Sequence, residues 1–144
     1  MLTKELVKDV KNEGANAIIK LLSDYTDVKS IAFILENLGH LPSKLDGDFL
    51  LDYAEHKNTT VRVWAIKTIG KLKDEKYLNV LESIGNNDAD TTVRREAVSS
   101  IGRLRTEKGK DVLKTFLTDN DPKVVCQAIR GLLVFKGDVD VDNQ

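Results

Sequence analysis

Cysteine is nearly missing from this chain of 144 residues: Cys126 stands alone, so no disulfide can form within it. That usage fits a reducing compartment, and the expected location is the cytoplasm. Proline occurs only twice, as Pro42 and Pro122, each where a helix would begin or end. With few alternating β-branched runs beside them, an all-helical chain is expected. No apolar run approaches the roughly 20 residues that a membrane-spanning helix needs. The start, Met1-Leu2-Thr3-Lys4-Glu5, lacks the basic-then-apolar order of a secretion signal. Charge of one sign is lacking too, since 22 Lys and Arg face 23 Asp and Glu for a net of -1. Attraction of the whole molecule to nucleic acid is thereby disfavoured, while a locally basic face remains open.

Catalytic chemistry is equally sparse. Histidine is limited to His40 and His56, which fall in different parts of the chain with no cysteine or second histidine at ligand spacing. No glycine-rich phosphate loop is present. Cys126 has no histidine near it in sequence to act as a base. The expectation is therefore no enzyme, no metal and no cofactor.

What is present is an internal repeat. Val61 to Leu72, Val93 to Leu104 and Val124 to Phe135 align without gaps, and Ser30 to Leu41 is a degenerate copy ahead of them. The period is 31 or 32 residues. Apolar residues fall at offsets 4, 5, 8 and 11 of each copy, and at offset 0 of all but the degenerate one, which is one face of a helix with 3.6 residues per turn. A small residue recurs at offset 4, as Ala65, Ala97 and Ala128, which suggests close approach between helices. Before each copy lies a shorter amphipathic segment anchored by Ile18, Ile19 and Leu22, then by Phe49, Leu50 and Tyr53. Val80, Leu81 and Ile84 anchor the third, and Val112, Leu113 and Phe116 the fourth. The unit is helix, turn, helix.

The turns carry their own signal, because Asp27, Asn58, Asp90 and Asp121 each stand three residues before offset 0. All four are good N-cap residues for the second helix of the unit. Gly39, Gly70 and Gly102 share a slot that Leu133 fills in the last copy. Leucine tolerates positive φ poorly, so the slot is read as a close-packing position. The units run at about 16–41, 48–72, 77–104 and 110–135 behind a capping helix at 1–15, all within one domain at 1–136. The acidic stretch 137–144 reads as a tail or linker.

The pattern Asp-x-x-Val-Arg-x-x-Ala-x-x-x-Ile-Gly-x-Leu is carried by Asp90 to Leu104, and nearly so by Asn58 to Leu72 and Asp121 to Phe135. It resembles HEAT repeats, in the short variety named after phycobilisome lyases. The resemblance covers about residues 16–136. It implies a right-handed α-solenoid of about four helical hairpins, with the second helices lining a concave side. It also implies a ladder between neighbouring repeats, formed by the aspartate and the arginine after the valine. Arg62 and Arg94 match that arginine, whereas Ile31 and Val125 replace it in the outer copies. Two enzymatic relatives are disfavoured. Nothing beyond the repeat suggests bilin handling, and the His-Glu pairs of deoxyhypusine hydroxylases are missing, since His40 precedes Leu41 and His56 precedes Lys57.

The positions of the second helices that the core does not need hold Phe33, Trp64, Lys67, Lys71, Arg95, Arg103 and Arg130, with Glu36 and Glu96 among them. An aromatic pair beside a basic stripe has the composition of an interaction hot spot. The expected function is a non-catalytic scaffold or binding module for a protein or peptide partner with an acidic or amphipathic segment. Two alternatives stand beside it: a nucleic-acid-binding or targeting module, and a tetrapyrrole lyase or chaperone.

Overall fold

A computed structural model describes residues 1–42 and 45–142, with side-chain surroundings as far as residue 134. All regular structure among the described residues is helical. The chain divides into two compact units, Met1–Leu72 and Lys73–Gln144.

The first unit holds α1 (Lys4–Glu13), α2 (Ala15–Ser23), α3 (Val28–Leu38), α4 (Leu50–Ala54) and α5 (Thr59–Leu72). Helix α1 packs on α2 and α3, while α5 packs on α3 and α4. The core follows the repeat register. Ile34, Leu35 and Leu38 of α3, and Val61, Ala65, Ile66 and Ile69 of α5, are closed interior. The first copy departs from the register in α2, where Ile18 is fully enclosed and Ile19 is 43% exposed.

The second unit opens with a 3-10 turn at Glu75–Tyr77, followed by α6 (Leu78–Asn87), α7 (Thr91–Leu104) and α8 (Glu107–Thr115). A second 3-10 turn, Phe116–Thr118, then leads into α9 (Pro122–Asp142). Helix α7 is its centre, packed by α6, α8 and α9. Its offsets 0, 4, 5 and 8, namely Val93, Ala97, Val98 and Ile101, have no solvent exposure. Helix α9 does not stop near residue 135 but runs on to Asp142. Asn143 and Gln144 of the expected acidic tail lie outside the described residues.

Each second helix starts on a cap. The Asp27 carboxylate accepts the Ser30 amide at 2.9 Å, and the Asn58 side-chain oxygen accepts the Val61 amide at 3.2 Å. Asp90 accepts from Thr92 at 2.8 Å and from Val93 at 3.2 Å. Asp121 accepts the Lys123 amide at 2.8 Å. Every one of these amides belongs to a first turn, where no intrahelical acceptor exists.

The glycine slot splits into two cases. Gly39 ends α3 with φ +57, a backbone state that favours glycine, so it is a helix terminator rather than a packing position. Gly70 and Gly102 lie inside α5 and α7, one residue-pair short of the helix ends. Those two helices instead turn off at Lys73 and Arg105, both at φ 53. At Gly102 a Cβ would sit 3.5 Å from the Cα of Gly131 in α9, an ordinary van der Waals contact.

Candidate interaction surface

The repeat turns are built from paired polar residues. In the second unit the Asp90 amide donates to Asp88 at 2.9 Å, and the Asp121 amide donates to Asp119 at 2.8 Å. In the first unit His56 Nδ1 takes that place and accepts the Asn58 amide at 2.9 Å. His56 is therefore a turn residue, which accounts for it without any ligand.

Arg94 links two successive repeats inside the second unit. Its NH1 donates to both carboxylate oxygens of Asp119 at 3.1 Å, and its NH2 lies 3.8 Å from Asp121. Thr91 Oγ1 donates to Asp121 at 2.8 Å. The Thr91 hydroxyl first, then the Lys123 amide and the charge of Arg94, hold the Asp121 carboxyl below the usual carboxylate range. Asp27 is likewise lowered, chiefly by its bonds to Ser30. The ladder expectation named Asp121 but missed Asp119, which takes the shorter bonds. The Asp-x-Asp spacing at Asp88/Asp90 and Asp119/Asp121 is the signal in the sequence that points to it. Arg62 NH1 donates to the carbonyls of His56 at 3.0 Å and Lys57 at 3.2 Å, stapling its own turn.

The seven proposed surface residues fall four to the first unit and three to the second. In the first, Phe33 on α3 is half-buried, and so are Trp64, Lys67 and Lys71 on α5. Lys67 Nζ lies 5.2 Å from the centroid of the Trp64 ring, within cation–π range. The indole is neither enclosed in the core nor fully open.

In the second unit Arg95 and Arg130 come together, and Arg103 goes elsewhere. Arg95, Pro122, Lys123, Cys126, Gln127 and Arg130 line a shallow groove of about 250 Å³ between α7 and the start of α9. Arg95, Lys123, Cys126 and Arg130 are all exposed. Arg95 and Arg130 make no ion pair among the described residues. Arg103 NH1 instead lies 3.9 Å from Glu96, two turns earlier on the same helix. Its charge is partly answered within α7, which removes it from the groove's excess of positive charge. Pro122 and Lys123 were not anticipated. They belong to the first turn of α9, ahead of the valine from which the surface offsets are counted.

Among the described residues no group of histidines, cysteines or carboxylates could hold a metal ion, and no helix is long and apolar enough to cross a membrane. With this geometry in place, comparison with known proteins gives a family match over part of the chain. The model for HEAT repeats matches residues 84–142, which span the end of α6 through α9. The match supports a HEAT-repeat assignment for that part of the chain. Members of that family are generally protein-interaction scaffolds and typically non-catalytic. No curated protein matches the chain.

Proposed function

We propose that this protein is a non-catalytic interaction module that holds an acidic segment of a protein partner in the groove between α7 and α9. The observation that carries this reading is the convergence of Arg95, Lys123 and Arg130 on one concave patch. Two of these three make no ion pair among the described residues. Cations left in this way lose little on meeting a carboxylate and attract one from solution. The patch favours peptide over single-stranded nucleic acid, because its lining has no aromatic ring on which a base could stack.

A fluorescein-labelled peptide alternating Asp and Leu is the probe, with binding read as anisotropy. Arg95→Ala and Arg130→Ala should each weaken it by roughly 0.5–1 kcal/mol, the worth of an exposed charge pair, and both losses should shrink with added salt. Asp52→Ala and Glu82→Ala, away from the groove lining, should leave binding unchanged. Equal loss from these controls, or none from the arginines, rejects the groove. An oligonucleotide that outcompetes the peptide rejects the partner class.

A further inference from the structure

The groove between α7 and α9 has more positive charge in less space than the capture of one carboxylate requires. Lys123, Cys126, Gln127 and Arg130 stand at i, i+3, i+4 and i+7, so one face of α9 supplies them all. Their two cations are about 10 Å apart along the helix, with a thiol and an amide between them. Arg95 approaches from α7. Three cations thus border a space of about 250 Å³, below the roughly 300–1,000 Å³ of a pocket for a drug-sized ligand. Such a space admits one side chain rather than a run of acids.

Among the described residues little of this charge is answered. Glu96 and Asp121, the carboxylates adjoining the groove in sequence, are both engaged elsewhere. Glu96 lies 3.9 Å from Arg103. Asp121 accepts the Thr91 hydroxyl and the Lys123 amide, and lies 3.8 Å from Arg94. Lys123 shares its charge with Asp121, whereas Arg95 and Arg130 make no ion pair. The half-buried Gln127 side chain makes no hydrogen bond among the described residues.

A carboxylate carries one charge on two oxygens, which a single arginine fork saturates. A phosphorylated side chain carries a charge of about −1.5 to −2 at neutral pH, spread over three acceptor oxygens. It can meet both arginines and Lys123 at once, and the Gln127 amide can donate to it as well.

We infer that the groove reads phosphate: it takes a phosphorylated serine or threonine of a protein partner, whose oxygens are shared by Arg95, Lys123 and Arg130. The inference rests on the acid-binding role proposed above and specifies the anion. A protein is favoured over single-stranded nucleic acid on the same ground as before, since no aromatic ring lines the groove.

Three fluorescein-labelled peptides of one sequence, with serine, aspartate or phosphoserine at the centre, test this by anisotropy against the full chain. At neutral pH the phosphoserine peptide should bind at least about fivefold more tightly than the aspartate peptide, because its further charge faces three cations. The serine peptide should bind more weakly than either. The phosphoserine-to-aspartate ratio should fall toward one at about pH 5.5, where most of the phosphate has taken up its second proton. No histidine or carboxylate lines the groove, and the Asp121 carboxyl is held below the usual carboxylate range. The change in that window therefore belongs to the ligand. Arg95→Gln and Arg130→Gln should each cut the ratio at least about twofold, with an unchanged helical circular-dichroism spectrum.

Equal affinity for the phosphoserine and aspartate peptides overturns the inference, and so does a ratio that neither pH nor the two arginine variants alter. The acid-accepting groove survives equal affinity if both peptides still depend on Arg95 and Arg130, and it falls too if neither peptide binds. A single-stranded oligonucleotide that displaces the phosphoserine peptide at lower concentration than the unlabelled phosphopeptide does assigns the phosphate to nucleic acid, and overturns the inference as well.

Discussion

Adding a single methyl group at Gly85 should destabilise the second unit, although alanine is the better helix former. A Cβ at Gly85 would stand 2.8 Å from Cζ and 3.0 Å from Cε1 of Phe116, and 3.5 Å from Val98. Carbon atoms pack comfortably at about 3.5–4.0 Å, so the overlap with the ring is roughly 0.7 Å. Phe116 is only 1% exposed, and Leu81 and Val98 near it are fully enclosed. The ring therefore has no open space into which it can swing. Replacing glycine within a helix returns about 1 kcal/mol, whereas forcing a methyl into a closed core costs about 1–3 kcal/mol. The cost wins, and Gly85→Ala should lose about 1 kcal/mol net. Urea unfolding followed by far-ultraviolet circular dichroism measures it, with the denaturant slope unchanged. The same substitution in a Phe116→Leu background should become neutral or stabilising, a coupling of about 1–2 kcal/mol between residues in contact. If Gly85→Ala stabilises the protein that retains Phe116, the packing of α6 against the turn at Phe116–Thr118 has been misjudged.

Gly102→Ala should behave in the opposite way, because its Cβ would meet only the Gly131 Cα at an ordinary 3.5 Å; a gain of about 0.5–1 kcal/mol in the same assay is expected. Asp90→Ala removes a carboxylate that accepts two first-turn amides, and should cost about 1 kcal/mol by thermal or urea unfolding. Asp121 sets a pH dependence. Its folded-state pKa is lowered, so its contribution is present above the ordinary carboxylate range and disappears as pH falls through that range to the lowered value. Thr91→Val removes the largest cause of the lowering. The variant should be less stable than the wild type at neutral pH, and the gap should close in acid, where Asp121 is protonated in both. A gap that is constant with pH refutes the assignment. Trp64→Ala should change the fold little, since the indole is only half-buried; its effect on partner binding reports whether the first unit contributes to recognition.

The sequence alone determined the features set by neighbours in the chain. A cap at Asp90 and an apolar stripe through Val93, Ala97, Val98 and Ile101 depend on residues within two turns, so their spacing is sufficient to locate them. Tertiary structure decided the rest, because it depends on which groups meet across helices. Gly39 and Gly102 occupy one slot of the repeat, yet one terminates a helix at positive φ and the other lies against Gly131. Arg95 and Arg103 stand on one helix, yet the first opens onto α9 and the second is drawn to Glu96. Val98 and Ile129 also share a slot, and only packing distinguishes them: α7 is covered by a neighbouring helix, and the same position on α9 meets water. Periodicity states that a helix has an apolar face. Whether another helix covers that face is a property of the packed fold, and so is the charge left over when the ion pairs have formed.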